Sequence, residues 1–427
     1  MPKFRAAASR LTLAFALATG GAVAMTAVAT PAMAQKKEAK APKANYSKPF
    51  VAVYQPIAKV LTDNGDAAPL KAQLPALQAA ASTPDDKFAA GQITYSVGAK
   101  TDDITLQRQG LDWMLDSGKM EGADYAKNLY AAASLAYNAE DWAKAQARAQ
   151  QAIDAGYTGD AELLLAETYF GQNQTTQGLD YIDKAIAKKV AAGQPVPEAW
   201  LKRALARSYE ANLEPQSFKY AGMYAQYYPS ATSWGDAIAI QRNLREYGDQ
   251  ELLDLMRLAQ RTKSLRNERD YIDYLSASDA RRLPGETQRI IDAGIAAGLL
   301  KQNDTLVNEA RTIAAGRVKA DMADLPTLQA NATASGGTAT AAMAAGDAYL
   351  GYQQSAKAEE MYKLALSRPG VDTARVLTRL GIAQLDQGKY AEADANFLKV
   401  QGARQAIAQL WSIYGKQAAA PAAPAAQ

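Results

Sequence analysis

Apolar residues recur along this chain at steps of three and four, the period of a helix with one buried face. Between Pro49 and Ser117, Phe50, Val53, Tyr54, Ile57 and Leu61 form the first such stripe. Leu70, Leu74 and Leu77 follow, then Phe88, Ile93 and Val97, then Ile104, Leu106, Leu111 and Met114. Asp63-Asn64-Gly65-Asp66 and Ser82-Thr83-Pro84 are turn and cap signals between them. The pattern predicts two helix pairs here. Further on, Trp200 and Trp234 each open a helix, with second helices at about Pro215 to Tyr228 and Asp249 to Thr262. In the stretch from Asn267 to Ser335, Tyr271, Tyr274 and Leu275 predict one helix. Ile290, Ile291 and Ile295 predict a second, and Leu306, Val307 and Ile313 a third. Leu283-Pro284-Gly285 and Ser335-Gly336-Gly337 read as breaks. A last helix at about Ala403 to Tyr414 is expected to cover the end of the stack.

The chain also repeats itself. Gly346, Tyr349, Ala358, Tyr362 and Ala365, shifted by 35 residues, land on Gly381, Gln384, Ala393, Phe397 and Val400. Ala133, Ala136, Tyr137, Ala145 and Ala152 shift by 33 onto Ala166, Tyr169, Phe170, Gly178 and Ala185, and the two tryptophans stand 34 apart. A small residue, an aromatic three on, an alanine twelve on and an aromatic four later resembles the tetratricopeptide repeat. Small residues let two antiparallel helices approach, and the large ring fills the space beside them. One pair cannot bury its own apolar face, so pairs stack. The resemblance implies an all-α fold, a right-handed α-solenoid of stacked antiparallel helix pairs.

In that family the first helix of each pair lines a groove where partner proteins bind as peptides or helices. The register places Tyr130, Ser134 and Tyr137 there, then Leu163, Glu167 and Phe170, then Leu201, Leu205 and Tyr209. The competing reading makes half of these inter-repeat core. Some members clamp a partner's terminal carboxylate with Lys and Asn. Tyr130 and Ser134 occupy the equivalent positions here, so that activity is not carried over.

Composition changes the picture at the ends. Lys3, Arg5 and Arg10, an apolar run from Leu11 to Ala29, and Ala32-Met33-Ala34 form a secretory signal pattern in 1–34. A periplasmic location is expected, with secretion as the alternative. Residues 35–48 read as a Lys/Ala/Pro linker and 415–427 as a disordered Ala/Pro tail. Between them lie degenerate N-terminal repeats (49–121), tetratricopeptide-like repeats (122–265), a diverged helical segment (266–337), and C-terminal repeats with a capping helix (338–414). Beyond the signal, 44 Lys+Arg face 44 Asp+Glu. That balance does not favour nucleic acid or anionic lipid as partners, and no integral membrane segment is expected after signal removal.

The chain has no histidine and no cysteine. This excludes Ser-His-Asp and Cys-His catalysis, His- or Cys-ligated metals and disulfides. Neither a phosphate-binding Gly-x-x-x-x-Gly-Lys-Ser/Thr loop nor a dinucleotide fingerprint occurs. No cofactor, metal or catalytic residue is assigned. Carboxylate chemistry stays open in principle, but Glu359-Glu360 and Asp102-Asp103 read as solvated faces and caps. Two surface features remain. Phe218, Tyr220, Tyr224, Tyr227 and Tyr228 make a helical stripe that either packs between pairs or stacks on a glycan or peptide. Arg257, Arg261, Lys263, Arg266 and Arg269 make a basic cluster, read as a solvated face, with docking of an acidic partner there as the alternative. The expected function is a non-enzymatic envelope scaffold for protein–protein contact. The alternatives are a glycan-associated protein aiding polysaccharide export or wall assembly and, third, a carboxylate-based hydrolase.

Overall fold

A computed structural model describes residues 44–420. The expected signal, 1–34, lies outside them, as do most of the linker and 421–427. The described residues are helical, with no strand among them, and within each of two units successive helices pack against their chain neighbours. They divide into two compact units, the first ending at Asn173 and the second beginning at Gln174. That division falls inside the stretch 122–265, expected as one block of repeats. It separates Ala166, Tyr169 and Phe170 from Gly178 and Ala185 of the same repeat copy.

The first unit comprises α1 (Lys48–Thr62), a 3-10 turn (Ala68–Gln73), α2 (Leu74–Ala80), α3 (Pro84–Lys100), α4 (Ile104–Asp116), α5 (Gly122–Asn138), α6 (Trp142–Asp154) and α7 (Ala161–Gly171). The helix starts follow from capping chemistry. Thr83 and Asp86 form a reciprocal capping box on α3, and Asp103 accepts from the backbone N–H of Leu106 on α4. Asp86, fully buried, also accepts from the N–H of Ser47 at 3.0 Å and so ties the start of α1 to α3. Helices α3 and α4 cross at two glycines. A Cβ on Gly91 would lie 2.7 Å from the Gly110 carbonyl oxygen, closer than any side chain allows.

The second unit comprises α8 (Thr175–Ala191), α9 (Glu198–Glu210), α10 (Glu214–Tyr227), α11 (Ala231–Leu244), α12 (Asp249–Arg261), α13 (Glu268–Ser278), α14 (Pro284–Ala296), α15 (Thr305–Thr333), α16 (Ala339–Gly351), α17 (Ser355–Leu366), α18 (Thr373–Leu385), α19 (Tyr390–Phe397), a 3-10 turn (Gly402–Arg404) and α20 (Gln405–Ala419). Here the expected small–aromatic contacts are seen directly. A Cβ on Gly346 would lie 2.6 Å from the Tyr362 ring, and one on Gly381 2.5 Å from the Phe397 ring. Ala358 and Ala393, the other small positions of the repeat, are fully buried. The fold is therefore all-α, and α16–α17 and α18–α19 are the pairs that show the repeat's expected contacts most clearly.

Two expectations are corrected here. The chain from 415 to 419 is not an irregular tail but the last turn of α20. Gly415 packs on Leu385, and the Gln417 amide donates to the carbonyls of Ala225 (2.8 Å) and Gln226 (3.1 Å). Nor does the last helix simply cover an end. It returns to α10, α12 and α18 as well as α19, and so closes the second unit upon itself. Trp411, fully buried, donates its indole N–H to the Asp254 carbonyl at 3.0 Å, and the Gln241 amide donates to the Ala406 carbonyl at 3.0 Å.

The glycine contacts give a direct test. Gly381→Ala should destabilise the protein by about 1–3 kcal/mol, because the new methyl would meet the buried Phe397 ring at 2.5 Å. Gly316→Ala, where nothing approaches within 4 Å, should be neutral or slightly stabilising. Denaturant unfolding of the two variants checks the contrast.

Candidate functional site

The second unit holds a cleft of about 830 Å³ lined from α12, α13, α14, α16, α17 and α18. Its floor is charged. Arg257 grips Glu286 with two bonds, Nε to Oε1 at 2.8 Å and Nη2 to Oε2 at 2.6 Å, and Tyr274 donates its hydroxyl to Glu286 Oε1 at 2.9 Å. All three side chains are nearly or fully buried. Burial pushes the Glu286 carboxyl up, but Arg257 and the Tyr274 hydroxyl outweigh it and hold it below the usual carboxylate range. On one wall Arg261 pairs with Asp386 and lies 5.3 Å from the Trp411 ring centre. Ser355, the first residue of α17, donates its hydroxyl to Asp386 at 3.0 Å.

At the rim Arg289 donates Nη1 to the carbonyls of Gly351 (2.6 Å) and Gly285 (3.2 Å). The Lys357 ammonium sits 5.2 Å from the Tyr349 ring centre. The side chains of Gln260, Gln353 and Gln354 complete the rim, and Gln260 and Gln353 are exposed.

Behind the floor lies a buried ion network. Asp254 has no exposed surface and is contacted by Arg379 (Nε, 2.9 Å), Arg257 (Nη1, 3.2 Å) and Arg404. Arg379 continues to Asp347 at 2.7 Å, where Arg375 also pairs at 2.5 Å and the Tyr362 hydroxyl donates at 2.8 Å. Burial raises the Asp347 carboxyl, yet Arg379 and Arg375 bring it down to about 2. Charges so buried persist only when paired and hydrogen-bonded.

Several residues stand elsewhere than expected. Arg257 and Arg261 do not belong to a solvated basic face: the first is interior, and the second is bound to Asp386 over a tryptophan ring. Arg269 is solvated, with its side chain 86% exposed. Glu359 is likewise interior. Burial raises its carboxyl, but Lys363, Lys389, Gln384 and Gln387 bring it down to about 2. Asp103 is a cap, as read. The tyrosine stripe packs inward. Tyr220 donates to the Leu179 carbonyl (3.1 Å) and Asp183 (2.8 Å), Tyr224 to Glu198 (3.1 Å) and Tyr228 to the Val196 carbonyl (2.6 Å).

Four of the nine groove positions, Glu167, Phe170, Leu201 and Leu205, are buried within their own units. In the first unit Tyr130 is half-buried, with its ring stacked on Tyr157 at 4.7 Å. Ser134 donates to the Tyr130 carbonyl at 2.9 Å, and Tyr137 meets the edge of Trp142 at 5.5 Å. Leu163 is half-buried, and Glu167 and Phe170 are buried. In the second unit Leu201 and Leu205 are buried, while Tyr209 is 38% exposed. The cleft residues Glu286, Arg289 and Lys357 were missed because no local pattern singles them out. The one usable signal nearby is a charge inside an apolar run, Asp254 between Leu253 and Leu255.

No protein-family model and no curated protein matches this chain. Among solved structures, the crystal structure of the APC/C hetero-tetramer Cut9-Hcn1 aligns over 82% of this chain and 86% of that chain. Identity is 11% and the TM-score 0.17, so that likeness carries no argument. The described residues show an all-α fold of packed helix pairs. No helix among the described residues is long and apolar enough to cross a membrane.

The ion network makes stability pH-dependent in a stated direction. Asp347 falls from an ordinary 3.8 to about 2 in the folded protein. Its contribution is therefore present above about pH 4 and is lost as pH falls towards 2. The linked stabilisation is about 2 kcal/mol. Asp347→Asn should destabilise the protein at pH 7 by about 3 kcal/mol, because Arg375 loses its carboxylate and Arg379 keeps only Asp254. It should also flatten the stability profile between pH 4 and 2. Urea titrations across that window give both readouts.

Proposed function

We propose that this protein is a non-enzymatic scaffold of a bacterial envelope that works by protein–protein contact. The observation that carries the reading is the cleft of the second unit. It is open and of ligand-pocket size, and its exposed rim offers amides and cations. Its two carboxylates, Glu286 and Asp386, are each committed to an arginine. Carboxylates so paired are fixed in place, which suits recognition and not proton transfer. The missing histidine and cysteine support the same reading. Export to the periplasm is supported by the basic start, apolar run and Ala32-Met33-Ala34 pattern.

The test is crosslinking in intact cells followed by affinity recovery of the full chain from a periplasmic extract. The expected result is a stoichiometric protein partner. Incubation with purified wall or capsular glycan runs beside it. Sugar released from that material, or retention on it with no protein partner recovered, would overturn the reading.

A further inference from the structure

We propose that the cleft of the second unit takes an acidic peptide segment, with side-chain carboxylates seated between Arg289 and Lys357. This rests on the scaffold reading and names the chemistry of its partner. The argument is a charge balance. Four cations line the cleft, Arg257, Arg261, Arg289 and Lys357. Glu286 answers the first and Asp386 the second. Arg289 is held only by two backbone carbonyls and Lys357 only by the face of a ring, and neither makes an ion pair among the described residues. Two cations thus stand at the rim bonded to no carboxylate, Arg289 within the field of Glu286 and Lys357 over a ring.

A ligand carboxylate placed there gains charge-assisted hydrogen bonds that a neutral group does not. The start of α17 adds to the same field. Ser355 and Lys357 lie in its first turn, and the N-cap residue Gln354 makes no side-chain cap bond, so the first N–H groups of the helix are open to an acceptor. The amides of Gln260, Gln353 and Gln354 each offer one acceptor and two donors, which match the carbonyl and N–H of a peptide backbone.

Nucleic acid fits less well. A phosphate backbone is held by a longer row of cations, and base stacking needs an exposed ring, whereas the cleft's tyrosine, Tyr274, is buried. Two cations framed by amides suit a short run of Asp or Glu in an extended chain.

The experiment is fluorescence polarisation of the full-length exported chain with labelled decapeptides. One carries paired Glu residues and the other carries Gln at the same positions. The acidic peptide should bind at least about tenfold more tightly, a difference of about 1.4 kcal/mol, and its binding should weaken as salt rises. Lys357→Glu, at an exposed position that holds no other side chain in an ion pair, should abolish the preference while the thermal midpoint stays unchanged. Arg289→Gln should reduce it, and circular dichroism identifies any loss due to unfolding. Equal binding of the two peptides, or an undiminished preference in folded Lys357→Glu, would overturn the proposal. A partner captured from cells that still binds Lys357→Glu would overturn this proposal and leave the scaffold reading standing.

Discussion

Asp254 is the point on which the second unit depends. Its carboxylate is wholly buried, and its arginine partners come from the same helix, from α18 and from the turn before α20, at sequence separations of 3, 125 and 150. Removing one partner from a buried ion pair costs about 3–5 kcal/mol, because the charge left behind has no water to turn to. The Trp411 bond to the Asp254 carbonyl adds to it, and Gln241–Ala406 and Gln417–Ala225 join segments as distant. The closed form of the unit follows. α20 cannot leave α12 without taking the Trp411 indole from the Asp254 carbonyl and drawing Arg404 from its carboxylate, which would keep Arg257 and Arg379.

The same network reaches into the repeat packing. Tyr362 fills the space beside Gly346, as the repeat requires, and its hydroxyl also donates to Asp347. Asp347 in turn holds Arg379, which holds Asp254. An apolar contact of the helix pair and a polar one of the interior therefore share a single side chain. The cleft floor belongs to this system through Arg257, which touches both Asp254 and Glu286. A rigid floor beneath a rim of amides and unpaired cations is a reasonable way to present a binding surface with little motion to freeze on binding.

The helices were legible in the sequence because their stripes and caps are local. The predicted second helices at 215–228 and 249–262 differ from the observed α10 and α12 by a residue at most at either end. The Gly346–Tyr362 and Gly381–Phe397 contacts were legible because the repeat fixes both partners within sixteen residues. The site was not. Whether Arg257 faces water or Glu286 depends on α14 coming to lie beside α12, and nothing within either helix states that. Leu201 and Phe170 were named for a groove because a helix face alone does not say which neighbour covers it. Here each is covered. The return of α20 was hidden for the same reason, since its partners on α10 and α12 lie about 150 residues or more away.

Native-state hydrogen exchange tests the central claim, that Asp254 clasps α12, α18 and α20 into one cooperative body. Slow amides of these three helices should open with a single common free energy in the wild-type protein. Replacing Arg404 with Gln should lower that energy for all three together. Exchange of α20 at low free energy, with α12 and α18 unaffected by its opening, would contradict the account.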